Sequence, residues 1–261
     1  MSDVLIEKNL NKARSLLING KLIEGSNLLN SIINNFPQNQ KVQFVIQQLK
    51  QSSLKQSNPS KEQIDILLKY YKNGELINAE NLALSLTQEF PRHAFGWKVL
   101  GVILGDMGRK TEALNALQKA LEIAPQDTRT HNNLGNILKS LGRFEEAELS
   151  FKQSIKLNPK SALAHNNFGT MLREVERFHE AKMSFEQAIR LDPEFALAYN
   201  NLGLAFVDLR KYDNAQKNYT QSLKLNPNLS QAYYNLGVLF YTQGKATKHL
   251  KCFLNAISLD P

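Results

Sequence analysis

Asparagine recurs in this chain at a fixed interval. Asn133, Asn167, Asn201 and Asn235 lie 34 residues apart; Asn132, Asn166 and Asn200 precede three of them, and Asn136 adds another amide. They sit in stretches such as THNNLGNIL, AHNNFGTML and LAYNNLGLAF, whose apolar residues have helical spacing. Asn and Gly each cost a helix interior roughly 0.5–1 kcal/mol relative to Ala, so these amides need a reason. An amide side chain offers both a donor and an acceptor. A file of them can pair with the N–H and C=O groups of an extended peptide, largely regardless of that peptide's side chains. The competing reading is structural: the same amides can bond to a neighbouring unit of the protein, or simply mark duplication of one unit.

Other residues with chemical capacity lack partners. His131 and His165 stand 34 apart in a column of large aromatics, with no Cys, Asp or third His at ligand spacing, so they read as packing residues and no metal is expected. His93, His179 and His249 have no nucleophile partner. Cys252 has only Lys251 beside it and no base, so it reads as a small core residue. There is no Gly-rich phosphate loop, GxSxG, HExxH or paired-carboxylate motif. The chain is expected to bind rather than catalyse, without a cofactor.

The composition suits a soluble protein: 42% hydrophobic, 21% charged, one cysteine and a formal charge of +8. Lys and Arg outnumber Asp and Glu by 11 to 8 over residues 1–93 and by 21 to 16 over 94–261, so the excess is spread rather than clustered. A nucleic-acid footprint is clustered on one face, which argues against nucleic acid. No run approaches the roughly 18 apolar residues of a membrane span. The start, MSDVLIEKNLNKAR, lacks a secretory pattern, and with the single cysteine this predicts a reduced, cytoplasmic location.

The elements that position these residues follow from the period. Pro91, Pro125, Pro159, Pro193, Pro227 and Pro261 are spaced by 34, as are Gly101, Gly135, Gly169, Gly203 and Gly237. So are Trp97, His131, His165, Tyr199 and Tyr233, and likewise Ala113, Ala147, Ala181 and Ala215. In the unit starting at 196, helix A carries Tyr199, Leu202 and Phe206 at places 4, 7 and 11. At about 100° per residue these share a face with Gly203 at place 8. Helix B adds Ala215 at place 20 with Tyr219 and Leu223, and Pro227 ends it. One hairpin cannot bury both its faces, so the units must stack.

This pattern resembles the tetratricopeptide repeat, W-x2-L-G-x2-Y…A-x3-F…P. The resemblance implies an all-α fold, a right-handed superhelical solenoid of stacked antiparallel helix pairs. Six tandem units are expected over 60–261, at 60–93, 94–127, 128–161, 162–195, 196–229 and 230–261. Residues 1–50 read as a degenerate N-terminal hairpin, with a unit at 6–39 and an extra helix in KVQFVIQQLK, and 51–59 as a linker. Arrays of this kind need a polar cap. The sequence reaches Pro261 without one, which points to a fragment of a longer chain, although His249 at the small place 20 already makes the final unit atypical.

In the family architecture, places 2, 5, 6, 9, 12 and 13 of helix A line a concave groove. The asparagine file looks like the ladder of the O-GlcNAc transferase superhelix, and that resemblance implies an extended protein or peptide partner. Its candidate contacts are Asn133, Asn167, Asn201, Asn235, Asn132, Asn166, Asn200 and Asn136, with Arg129, Lys139, Arg173, Tyr234 and Tyr241. Aromatics dominate binding hot spots, which marks the two tyrosines as anchors. Chaperone-binding members clamp an acidic C-terminus through Lys and Arg at places 2, 5 and 6 with Asn at places 6 and 9; from the unit at 128 onward the asparagines match but those cations are missing, and starting one unit earlier keeps Lys98 but puts Val102 at place 9. The implied role is an interaction scaffold, as the substrate-recruiting arm of a larger bacterial transferase. The alternatives are a stand-alone scaffold that self-associates as a homo-oligomer through its uncapped last repeat, and, less favoured, an RNA-binding helical repeat of pentatricopeptide type.

Overall fold

The computed structural model describes residues 3–18 and 58–260, and between these 28–29, 31–33, 35–36, 39 and 42–43. The chain divides into two compact units, residues 1–63 and 64–261. In the first, α1 (Asp3–Ile18) buries Ile6, Leu10 and Ala13. Their spacing places them on one helical face, and Ile6 and Leu10 cluster with Ile32 and Val42. The expected hairpin at 6–39, the helix after residue 42 and the 51–59 linker fall largely outside the described residues.

From residue 61 onward helices alternate as pairs. The A helices are α2 (Lys61–Lys72), α4 (Ala94–Asp106), α6 (Thr128–Ser140), α8 (Ala162–Glu174), α10 (Ala196–Asp208) and α12 (Ser230–Thr242). The B helices are α3 (Leu76–Glu89), α5 (Lys110–Ile123), α7 (Phe144–Leu157), α9 (Phe178–Leu191), α11 (Tyr212–Leu225) and α13 (Ala246–Leu259). Among the described residues there is no strand. The second unit is an all-helical solenoid of stacked pairs.

Local chemistry sets the boundaries. At the head of α2, Ser60 Oγ accepts from Gln63 N at 3.1 Å and Gln63 Oε1 accepts from Ser60 N at 2.9 Å, a reciprocal cap. Asp127 and Ser161 cap α6 and α8 by accepting from Thr130 N and Ala164 N. The A-to-B turn requires one left-handed residue at place 15. Gly74, Gly108, Gly142 and Gly244 supply it, whereas Glu176 and Arg210 adopt it at φ 60° and 56° despite their Cβ atoms. Each B helix ends ahead of a proline, with Asp192 and Asn226 already extended.

In every pair but the first, where place 8 is Leu67, the helices cross at the glycine of place 8. A Cβ on Gly203 would stand 2.5 Å from Tyr219 Cε1; on Gly135 and Gly169 it would lie 2.7 Å from the rings of Phe151 and Phe185. The ring at place 24 therefore lies in the space a side chain would fill. Phe151, Phe185 and Tyr219 are at most 1% exposed. Ala113, Ala147, Ala181 and Ala215 are fully buried at the small place 20. Ser154 and Ser222 on the B helices donate to Thr128 O and Ala196 O at 3.0 and 2.8 Å, tying each B helix to the first carbonyl of its own A helix.

The crossing sets a sign. Gly→Ala inside an unobstructed helix stabilises by roughly 0.5–1 kcal/mol. Gly203→Ala should instead destabilise by about 1–3 kcal/mol, because Tyr219 must move from its packed position. Urea unfolding followed by circular dichroism reads the sign directly; a raised midpoint would contradict the packing.

Candidate functional site

The two asparagine columns have different environments. At place 5, Asn132, Asn166 and Asn200 are 6%, 2% and 0% exposed. At place 6, Asn133, Asn167, Asn201 and Asn235 are half-buried. Each place-6 amide beyond the first donates back to the place-5 amide of the preceding repeat: Asn167 to Asn132 at 3.2 Å, Asn201 to Asn166 at 2.9 Å and Asn235 to Asn200 at 2.9 Å. Asn166 and Asn200 in turn donate to Asn167 and Asn201 at 3.3 and 3.4 Å. The amides form one head-to-tail chain from Asn235 to Asn132.

This corrects part of the expected site. Asn132, Asn166 and Asn200 lie buried between repeats, because helix A stacks on helix A one place out of step. The bonding interval is 35 residues, not 34. Asn167 and Asn201 each keep one N–H and one carbonyl lone pair after these bonds. Asn133 makes no side-chain bond among the described residues, because Lys98 occupies the place-5 position before it. Asn136, half-buried at place 9, also keeps its amide uncommitted.

The same 35-residue step explains the charges. Lys139 Nζ donates to Glu174 Oε1 at 2.7 Å, and Arg173 pairs with Asp208, each linking place 12 to place 13 of the next repeat. Tyr71 Oη donates to Asp106 Oδ2 at 2.6 Å in the equivalent position. Burial and then the Asp106 carboxylate push the Tyr71 hydroxyl up to about 12. Lys139 and Arg173 are thus each committed to a carboxylate of the next repeat. Lys98 is also committed, to Asp127 at 2.8 Å. Burial alone would raise the Asp127 carboxylate, but Lys98 and the Thr130 N–H hold it below its usual range. Arg129 at place 2 is exposed and makes no ion pair among the described residues. Tyr234 and Tyr241 are 57% and 67% exposed.

The histidines serve the backbone. Trp97 Nε1 donates to Pro91 O at 3.2 Å, and the ring nitrogens of His131 and His165 reach Pro125 O and Pro159 O at 2.9 and 3.1 Å. Imidazole here does the work of the indole N–H. Burial, more than the nearby Arg190, lowers the His165 pKa. Among the described residues no group of His, Cys, Asp or Glu is arranged to hold a metal ion. Cys252 is buried, and that burial pushes its thiol up against the small opposing effect of Lys251, so it is not an activated nucleophile. A cleft of about 590 Å³ between α7, α8 and α9 is lined by Lys152, Phe168, Met183 and Arg190 among others. Its cations already bond along their own helices, Lys152 to Glu148 and Arg190 to Gln187. No helix among the described residues is long and apolar enough to cross a membrane.

Two outcomes follow. Asn201→Ala strips the buried Asn166 carbonyl of its partner and should destabilise by about 1–3 kcal/mol in urea unfolding, against a propensity gain of roughly 0.5 kcal/mol. For His165, the folded state favours the neutral ring, so its contribution to stability is complete above about pH 6.5 and lost as the pH falls below that. His165→Trp should keep the bond to Pro159 O and remove that part of the acid sensitivity of the thermal midpoint.

Comparison with known proteins agrees with this geometry. Residues 128–161 and 196–229 match the tetratricopeptide repeat profile, 162–195 and 230–261 match a second profile of the same description, and 101–142 match a TPR repeat profile. Together these run from 101 to 261, more than half of the chain. No curated protein matches the sequence. Among solved structures, MamA aligns at 25% identity and TM-score 0.52, over 62% of this chain and 94% of its own. A chain of the APC/C hetero-tetramer Cut9–Hcn1 aligns at 18% identity and TM-score 0.71, over 97% of this chain and 53% of that one. YrrB, described as a TPR protein with an unusual peptide-binding site, aligns at 20% identity and TM-score 0.50, over 69% and 92%. With its 34-residue columns, glycine-on-ring crossings and stacked pairs, the chain belongs to the tetratricopeptide-repeat family.

Proposed function

We propose that the chain is a protein-interaction scaffold whose A-helix face holds an extended segment of a partner protein. The observation that carries this reading is the file of half-exposed place-6 amides, which bonds between repeats hold in fixed orientation while one donor and one acceptor remain unused. Preorganised groups lose little entropy when a ligand binds, which favours main-chain recognition. Asn133 and Asn136 are the uncommitted amides, Arg129 the unpaired cation beside them, and Leu163 and Leu197 supply apolar contact at place 2. The peptide-binding site named for YrrB supports the use of such a fold for this purpose.

The reading is of recognition without catalysis, in the cytoplasm, where Cys252 stays reduced. A recruiting arm of a larger transferase and a stand-alone scaffold would use the same groove. RNA binding is disfavoured, because Lys98, Lys139 and Arg173 are already bound to carboxylates and phosphate recognition needs free cations.

The test separates recognition from stacking. Peptides selected on the 261-residue chain from a random display library serve as probes. Asn133→Ala with Asn136→Ala, which removes no inter-repeat bond, should weaken their binding at least about five-fold with the urea midpoint unchanged. N-methylation of alternate peptide amides should cost more affinity than alanine scanning of the peptide. Affinity indifferent to both changes would overturn the reading.

A further inference from the structure

The turns between helices A and B carry a recurring ion-pair joint. Arg109 and Arg177, at place 16, each fork onto a glutamate at place 19 of their own B helix, Glu112 and Glu180. Each also reaches a glutamate at place 21 of the preceding B helix, Glu80 and Glu148. For Arg177 the bonds measure 2.7 and 2.6 Å to Glu180 and 2.6 Å to Glu148. Arg143 keeps only the fork, onto Glu146, because place 21 before it is Leu114.

In the repeat beginning at 196 these carboxylates are gone. Lys211 keeps the cation at place 16, but place 19 is Asn214 and place 21 of the preceding helix is Lys182. The left-handed residue at place 15 changes as well, from Glu176 to Arg210. The same four positions hold three carboxylates and one guanidinium in the repeat at 162, and three cations with no carboxylate in the next. Arg210 and Lys211 are exposed and make no ion pair among the described residues, while Lys182 turns to Glu186 at 2.8 Å. Of the other acids nearby, Asp208 is held by Arg173, and Asp213 stands two places from Lys211, an interval that does not face it on a helix. Arg210 holds φ 56° where glycine takes the left-handed turn in four other repeats, so this cation is kept at a conformational cost. A further described repeat follows, so the joint is interior to the array.

We propose that Lys182, Arg210 and Lys211 dock an acidic segment of another protein, whose carboxylates take the positions that Glu148 and Glu180 fill one repeat earlier. The chain itself shows what satisfies this joint, and charge complementarity selects the partner. A nucleic acid fits less well. Its backbone affinity grows with the number of phosphates neutralised, and the next lysines along, Lys245 and Lys248, lie over the Phe240 ring at 5.6 and 5.7 Å. The site shares no residue with the A-helix groove.

The probe is a fluorescein-labelled peptide of repeated Glu-Glu-Gly-Ser, titrated by anisotropy against the 261-residue chain, with the Gln-Gln-Gly-Ser peptide as control. Binding should weaken as salt rises, and fall at least about five-fold with Arg210→Gly and Lys211→Gln together. Lys156→Gln with Lys160→Gln removes the same charge elsewhere and should leave it nearly unchanged. Lys182→Glu with Asn214→Glu rebuilds the self-contained joint of the preceding repeat and should abolish binding. Arg210→Gly alone should raise the urea midpoint while weakening binding, which separates recognition from folding. Asn133→Ala with Asn136→Ala should have no effect, which separates this site from the groove. Binding no tighter than that of the control peptide, or equal losses in the two double cation variants, would overturn the proposal. So would a single-stranded RNA of equal charge that binds more tightly through the same cations, or a dimer in sedimentation that Lys211→Glu dissociates.

Discussion

The contact between the place-8 glycine and the place-24 ring is the one on which the solenoid depends. With no Cβ on Gly135, Gly169 or Gly203, the rings of Phe151, Phe185 and Tyr219 lie directly against the backbone of helix A. This brings the two helices of a pair close and buries a large ring in each. A hairpin so closed still has apolar surface on both flanks, and that surface drives stacking. The inter-repeat contacts then act on helices whose spacing the crossing has already set.

Those contacts divide by environment. At place 5 the amides are removed from water, where an unpaired polar group costs more than a bond gains, so every partner matters. At place 6 the amides sit at the edge of the same interface, half in solvent. In Asn167, Asn201 and Asn235 one N–H is spent on holding the repeats together, and the rest of the amide stays uncommitted at the solvent edge. These amides thus hold the stack together, and the proposed recognition would draw on the same side chains, which accounts for the helix propensity given up there.

Fold was readable because its determinants repeat. Glycine, proline and alanine columns in one phase specify crossing, termination and close approach without reference to distant parts of the chain. The site was readable only in part. Asn132 and Asn133 look equivalent in sequence, and which of them reaches solvent depends on how helix A settles on its neighbour. Lys139 and Arg173 read as groove cations because comparison at 34 residues sets them beside Arg and Val. Their partners Glu174 and Asp208 appear only at 35, and opposite charges at that interval were the available signal. His131 and His165 were readable as surrogates for Trp97 by position, but the shared bond to a proline carbonyl needed coordinates.

The one-place offset has a consequence for how such a chain can grow. The units beginning at 162 and 196 carry both halves of each joint, an acceptor at place 5 with a donor at place 6, and in the first of them a cation at place 12 with an acid at place 13. A segment built this way fits its own tandem copy without any new side chain having to arise. Lengthening by duplication is therefore structurally neutral in the middle of the array.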